Sequence, residues 1–88
     1  LTGIEVGELP TTLREVLPEG VKGVVVAQIQ PDAPAAEKLQ VGDVIEEIEH
    51  QPIRSVAEYE RLAGGISAGE KVLLFVCRGR TRSFLVVP

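Results

Sequence analysis

Methionine and tryptophan are absent, cysteine occurs once, and aromatic residues make up only 3% of the 88 residues. Without methionine the chain cannot be a complete, unprocessed translation product. It reads as a single domain over residues 1–88, cut from a larger protein. The lone Cys77 has no partner for an internal disulfide or a two-cysteine metal site, and in an apolar run it reads as a small buried side chain. With so few aromatics, the core has to be built from Val, Leu, Ile and Ala. No apolar run approaches the roughly 20 residues of a membrane span, and no signal peptide is visible. Nine basic against thirteen acidic residues give a net charge of −4, the wrong field for nucleic acid or an anionic membrane. What remains is 44% hydrophobic and 25% charged, an ordinary globular mix.

The apolar residues fall into short, punctuated segments. Leu1 to Leu9 is an extended start carrying Gly3 and Gly7. Thr12 and Glu15 have the spacing of a capping box, and Leu13, Val16 and Leu17 share a helical face, which predicts a short helix over 12–17. The β-branched run Val24–Ile29 predicts a strand. Pro34 suits the first turn of a short helix reaching Lys38. After Gly42-Asp43, Val44, Glu46 and Ile48 alternate with Ile45, Glu47 and Glu49, a strand with one mostly apolar face. Ser55 and Glu58 form a second capping box ahead of Val56, Tyr59, Leu62, Ala63 and Ile66, the clearest amphipathic pattern in the chain. Lys71–Cys77 and Thr81–Val87 read as a hairpin around Arg78-Gly79-Arg80. The expected fold class is α+β, mainly β. It is a small curved sheet or partly open barrel of five or six short strands, capped by two or three helices.

Few residues suggest chemistry. Gly64 to Lys71 approaches a phosphate-binding loop, but Glu70 stands where the lysine belongs and the segment runs from helix to strand, the reverse of the required order. His50 with Ser55, Ser67 or Ser83 could supply two members of a triad, yet no serine sits in a nucleophile-elbow context. Glu46, Glu47 and Glu49 lack a His or Asp to complete a metal site and read as a solvated strand face. Arg78, Arg80 and Arg82 read as a charged edge that deters aggregation, or as a docking point for an acidic partner. No catalytic residue, metal or cofactor is expected. Recognition by backbone is left: an exposed strand edge can pair with an extended peptide beside a side-chain pocket. The Leu1–Val6 segment and the Ser55–Ile66 helix could enclose such a groove, and a loop containing Gly3 could supply converging N–H donors for a terminal carboxylate.

The run "PAAEKLQVGDVIEEIEHQPI", the capped helix "SVAEYERLAG" and the hairpin "KVLLFVCRGRTRSFLVVP" together resemble a bacterial-type PDZ domain, and in particular the PDZ domains of HtrA/Deg serine proteases. The resemblance covers nearly the whole chain. It implies that "LTGI" is the carboxylate-binding loop, acting through the backbone N–H groups of Thr2, Gly3 and Ile4. It implies that Ile4, Glu5 and Val6 pair with a peptide, and that Tyr59, Leu62, Ser55 and Ala63 line the pocket for its last side chain. Leu1 replaces the usual aromatic, Thr2 is polar where an apolar residue is common, and Ala33 stands where a serine cap is common. The implied function is a peptide-binding module for apolar C-termini in a periplasmic, cell-envelope protease. Its partners would be extended or C-terminal peptide segments and the neighbouring protease or PDZ domains of the parent. Two alternatives stay open: a structural PDZ domain without free-peptide binding, or a PDZ domain of another envelope protein such as a C-terminal processing protease, a membrane metalloprotease or a secretion component.

Overall fold

In the computed structural model, which describes residues 1–67 and 69–88, one antiparallel sheet carries the architecture. In chain order the elements are β1 (Ile4–Glu8), α1 (Thr11–Val16), β2 (Val24–Ile29), a single 3-10 turn (Pro34–Glu37), β3 (Val44–Ile48), β4 (Gln51–Pro52), α2 (Val56–Gly64), β5 (Val72–Arg78) and β6 (Thr81–Val87). The sheet order is β1-β2-β3-β5-β6, with β4 paired to β3. Six strands and two α-helices in an unclosed sheet match the expected α+β class. β1 and β6 are its free edges.

The central strand departs from simple alternation. A register shift against β5 lies between Ile45 and Glu47, so Glu46 is the extra residue of a bulge. Ile45 and Ile48 therefore join the same main core with Val24, Val26, Leu74, Val76 and Val87, while Val44 enters a second cluster with Leu9, Val21 and Cys77. Each such side chain, removed from water, contributes about 1.5–3 kcal/mol. The second cluster is sealed by Leu13 and Leu17 from the α1 region, so both faces of the strand are covered there. The reading of the glutamates as a solvated face is corrected accordingly. Glu46 is only 6% exposed and receives Arg82 through two hydrogen bonds, Nε at 3.0 Å and Nη2 at 2.6 Å. Glu49 is not on the strand but in the turn after it, where its Oε1 accepts the Leu73 N–H at 2.8 Å.

Asp43 is 2% exposed and is the most connected polar group of the interior. Gly42, at φ +96°, turns the chain so that the Asp43 side chain folds back to accept the Gln40 N–H at 2.9 Å. Arg78 grips both Asp43 oxygens at 2.8 Å and uses Nη2 again on the Lys38 carbonyl at 2.8 Å. That geometry is the planar fork for which arginine is suited. The hydrogen bond to Asp43 pushes the Arg78 pKa up, so the guanidinium stays charged. Arg78 and Arg82 are thus spent inside the molecule and do not form the free basic spot that the sequence suggested; of the three arginines only Arg80 makes no such pair among the described residues.

The helices divide in the same way. α2 begins as expected, with Ser55 Oγ accepting the Glu58 N–H at 3.1 Å. α1 starts one residue earlier than predicted, so Thr12 lies inside its first turn and the Thr12–Glu15 box does not form. The carbonyl of Pro10 accepts the first N–H groups instead. Val16 points outward at 63% exposure rather than sharing the buried side with Leu13 and Leu17. The 3-10 turn has Pro34 at its start and no side-chain cap from Ala33, as the sequence implied. Cys77 is buried, and burial raises its thiol pKa. His50, predicted to sit in a turn, packs edge-on to Phe84 with ring centroids 5.7 Å apart. Ala68, within the glycine-rich stretch weighed as a phosphate loop, lies outside the described residues.

Tyr59 is the one tyrosine of the chain, 5% exposed, and its hydroxyl has no hydrogen-bond partner among the described residues. Burial, with a smaller contribution from Glu60, raises its pKa to about 12. A phenol that stays protonated in the folded state while the unfolded chain ionises loses stabilising power as pH rises. Unfolding free energy should therefore fall between pH 10 and about 12, and this part of the fall should be missing in Tyr59→Phe. With no tryptophan present, phenolate absorbance follows the single ionisation directly. A titration midpoint near the ordinary value in the folded protein would contradict the burial argument. For the ion pair, Arg78→Ala should cost about 2–3 kcal/mol in denaturant unfolding, less than a fully buried pair would because Arg78 itself is half-exposed. Asp43→Asn added to Arg78→Ala should restore part of the loss, and strict additivity of the two changes would argue against the pair.

Candidate functional site

The free edge of β1 is open because of how it pairs with β2. The Gln30 N–H donates to the Gly3 carbonyl at 2.9 Å, which makes Ile4 and Ile29 a non-hydrogen-bonded pair. The N–H and carbonyl of Ile4 therefore face away from β2. The register then shifts between Glu5 and Val6, and Val6 stands opposite Val26. Both polar backbone groups of Val26 are engaged with Gly42 and Asp43 on its other side, so the pair with Val6 is again non-hydrogen-bonded. Ile4 and Val6 thus both present N–H and carbonyl to the open edge, while Glu5 directs its own toward β2.

Just ahead of this edge the chain turns through Gly3, at φ +81°. A β-carbon on Gly3 would lie 2.8 Å from the Ala33 side chain, so only glycine fits both the conformation and the contact. The N–H groups of Thr2 and Gly3 donate to nothing among the described residues. They stand next to the outward N–H of Ile4. Three consecutive backbone donors are thus left unused at one turn.

Across from the edge runs α2. Its near end is tied to β1, since Glu8 Oε1 accepts the Val56 N–H at 3.2 Å. Between the two elements lie two adjoining cavities. One, of about 400 Å³, sits under the Leu1–Gly3 turn and is lined by Leu1, Thr2, Ile4, Tyr59, Ala63 and Ile66 among others. The second, of about 440 Å³, follows β1 past Ile4, Glu5 and Val6 to Tyr59 and Glu60. Ile4, Tyr59 and Glu60 border both, so the cavities form one groove.

The residues expected at the site are mostly gathered here. Thr2, Gly3 and Ile4 form the turn, Ile4, Glu5 and Val6 form the edge, and Tyr59 and Ala63 lie on the helix wall. Leu62 packs against the main core, as Ala63 and Ile66 do, but borders neither cavity, and the Ser55 hydroxyl is committed to capping α2. Neither lines the groove. Glu60 and Ile66 do, and reading the sequence did not single them out for it. Glu60 precedes Ala63 by three positions, the spacing of a shared helix face. Ile66 lies beyond the end of α2 and reaches the cavity from the following turn. No serine hydroxyl is hydrogen-bonded to His50 among the described residues.

The PDZ domain family profile matches residues 3–87. A probable periplasmic serine endoprotease, DegP-like, from Pseudomonas fluorescens is 49% identical over 61 residues, covering 68% of this chain and 13% of the relative. The corresponding protein of Pseudomonas putida is 44% identical over 64 residues, covering 72% and 13%. The chain therefore spans about an eighth of the length of these curated relatives. Among solved structures, the HtrA-type protease AlgW with a decapeptide superposes with a TM-score of 0.81 at 31% identity, covering 99% of this chain and 27% of that one. The HtrA3 PDZ domain bound to a phage-derived ligand, FGRWV, superposes with a TM-score of 0.76 at 25% identity, covering 99% and 79%. The chain belongs to the PDZ domain family, a binding module rather than a catalytic one, and it is of the type found in HtrA and DegP-like serine proteases.

Proposed function

We propose that this domain binds the apolar C-terminal ends of other proteins by strand addition along β1. The observation that carries the reading is the outward backbone of Ile4 and Val6, continuous with the unpartnered N–H groups of Thr2 and Gly3 beside a cavity whose walls include Leu1, Ile4, Ala63 and Ile66. A peptide laid antiparallel to β1 would satisfy Ile4 and Val6, with Glu5 between them holding the strand to β2. Its terminal carboxylate would accept from Thr2, Gly3 and Ile4, where charge-assisted bonds to backbone donors are strong. Its last side chain would enter the cavity beside Tyr59 and Ala63, while Ser55 and Leu62 fix the helix that carries them. The HtrA-type neighbours described with peptide ligands support an extended peptide as the partner.

In a longer parent protein, 1–88 would be a single PDZ module. It would deliver substrates to, or regulate, a DegP-like serine protease of the periplasm, in keeping with the names of its relatives. Neighbouring protease and PDZ domains of that parent would be its other contacts.

The test is an NMR titration of the 88-residue chain with a short peptide ending in an apolar residue, as free acid and as amide. Shifts at Gly3, Ile4 and Tyr59 with the acid, and much weaker ones with the amide, are expected. Equal responses to both would remove the carboxylate nest, and no response to either across a varied apolar set would favour a purely interdomain role. Gly3→Ala forces a β-carbon against Ala33 at a positive φ. It should destabilise the fold by about 1–3 kcal/mol and abolish the preference for the free acid.

A further inference from the structure

The groove walls are charged in one sense only. Glu5 on β1 and Glu60 on α2 border the same cavity, whose other lining residues are Ile4, Val6, Ala27 and Tyr59. No lysine or arginine borders either part of the groove among the described residues. Both carboxylates are solvent-exposed, and neither takes part in a hydrogen bond or ion pair among the described residues. Their neighbours in sequence are occupied differently: Glu8 accepts from Val56 and Glu58 from Arg54. Glu60 also contributes to the raised pKa of the Tyr59 phenol, which places its charge beside the groove wall.

An added strand points its side chains alternately toward α2 and away from it. One class of peptide position would meet Glu60, and its neighbours would pass Glu5. We infer that the groove selects peptides with lysine or arginine in the few residues before an apolar C-terminal residue, and rejects acidic residues there, through Glu5 and Glu60. This inference rests on the strand-addition reading above. The cavity beside Tyr59 and Ala63 would set which last residue is accepted, and the two carboxylates would choose among peptides that share it. Charges at the lip of a partly exposed groove act more on selectivity than on total affinity.

Three peptides of equal length and identical apolar C-terminal residue test this, with Arg, Gln or Glu at the upstream positions. Isothermal titration at low salt should rank them Arg, then Gln, then Glu, with about a tenfold spread in Kd. The spread should shrink at high ionic strength as the charges are screened. Glu60→Lys should narrow or invert the ranking, and Glu5→Gln with Glu60→Gln should level it. Equal binding of all three by the unaltered domain overturns the inference and leaves strand addition standing. An undiminished ranking in the doubly neutral variant also overturns it, because the −4 net charge of the chain would then be the source. Failure of all three to bind removes the strand-addition reading itself, and this inference with it.

Discussion

The fork between Arg78 and Asp43 is the constraint on which the site depends. Asp43 is buried and would be costly alone; Arg78 neutralises it and, with a second bond to the Lys38 carbonyl, ties the end of the 3-10 turn to the end of β5. The 3-10 turn begins at Pro34, directly after Ala33, and Ala33 is the surface on which the Gly3 loop rests. The line of contact therefore runs from a buried ion pair to the donors of the proposed carboxylate nest. This domain has few aromatics and a modest core, so a polar clamp of fixed geometry supplies the positional definition that aliphatic packing alone leaves loose.

The groove itself is made of backbone. Nothing in its first turn needs a particular side chain except Gly3, whose lack of one is the requirement. A loop with Leu1 and Thr2, in place of the usual aromatic and apolar residues, therefore stays compatible with the proposed carboxylate nest. Side chains enter at the second level. They shape the cavity around Ile4, Ala63 and Ile66 and place negative charge along its walls.

Local patterns in the sequence were legible where short-range chemistry decides. Ser55 and Glu58 started α2, Pro34 started the 3-10 turn, and Gly79-Arg80 joined β5 and β6, because caps and turns are settled within a few residues. Alternation failed at Glu46. A bulge there is set by the pairing of β3 with β5, whose partner residues lie some thirty positions away. The same distance hid the role of two arginines. Arg78 and Arg82 look like a loose basic edge in sequence, and only the folded sheet brings Asp43 and Glu46 beneath them.

The sequence alone determined the class of the fold and most of its elements, since strand periodicity and turn residues are local properties. Only the tertiary structure decided which face of α2 looks into the groove. Tyr59, Glu60 and Ala63 line it, while Leu62 borders neither cavity and Ser55 is used as a cap. The reason is that an amphipathic helix records which residues are apolar but not where its neighbours stand. The direction of the groove is set by the docking of α2 against β1, through contacts such as Glu8 to Val56 that join residues 48 positions apart.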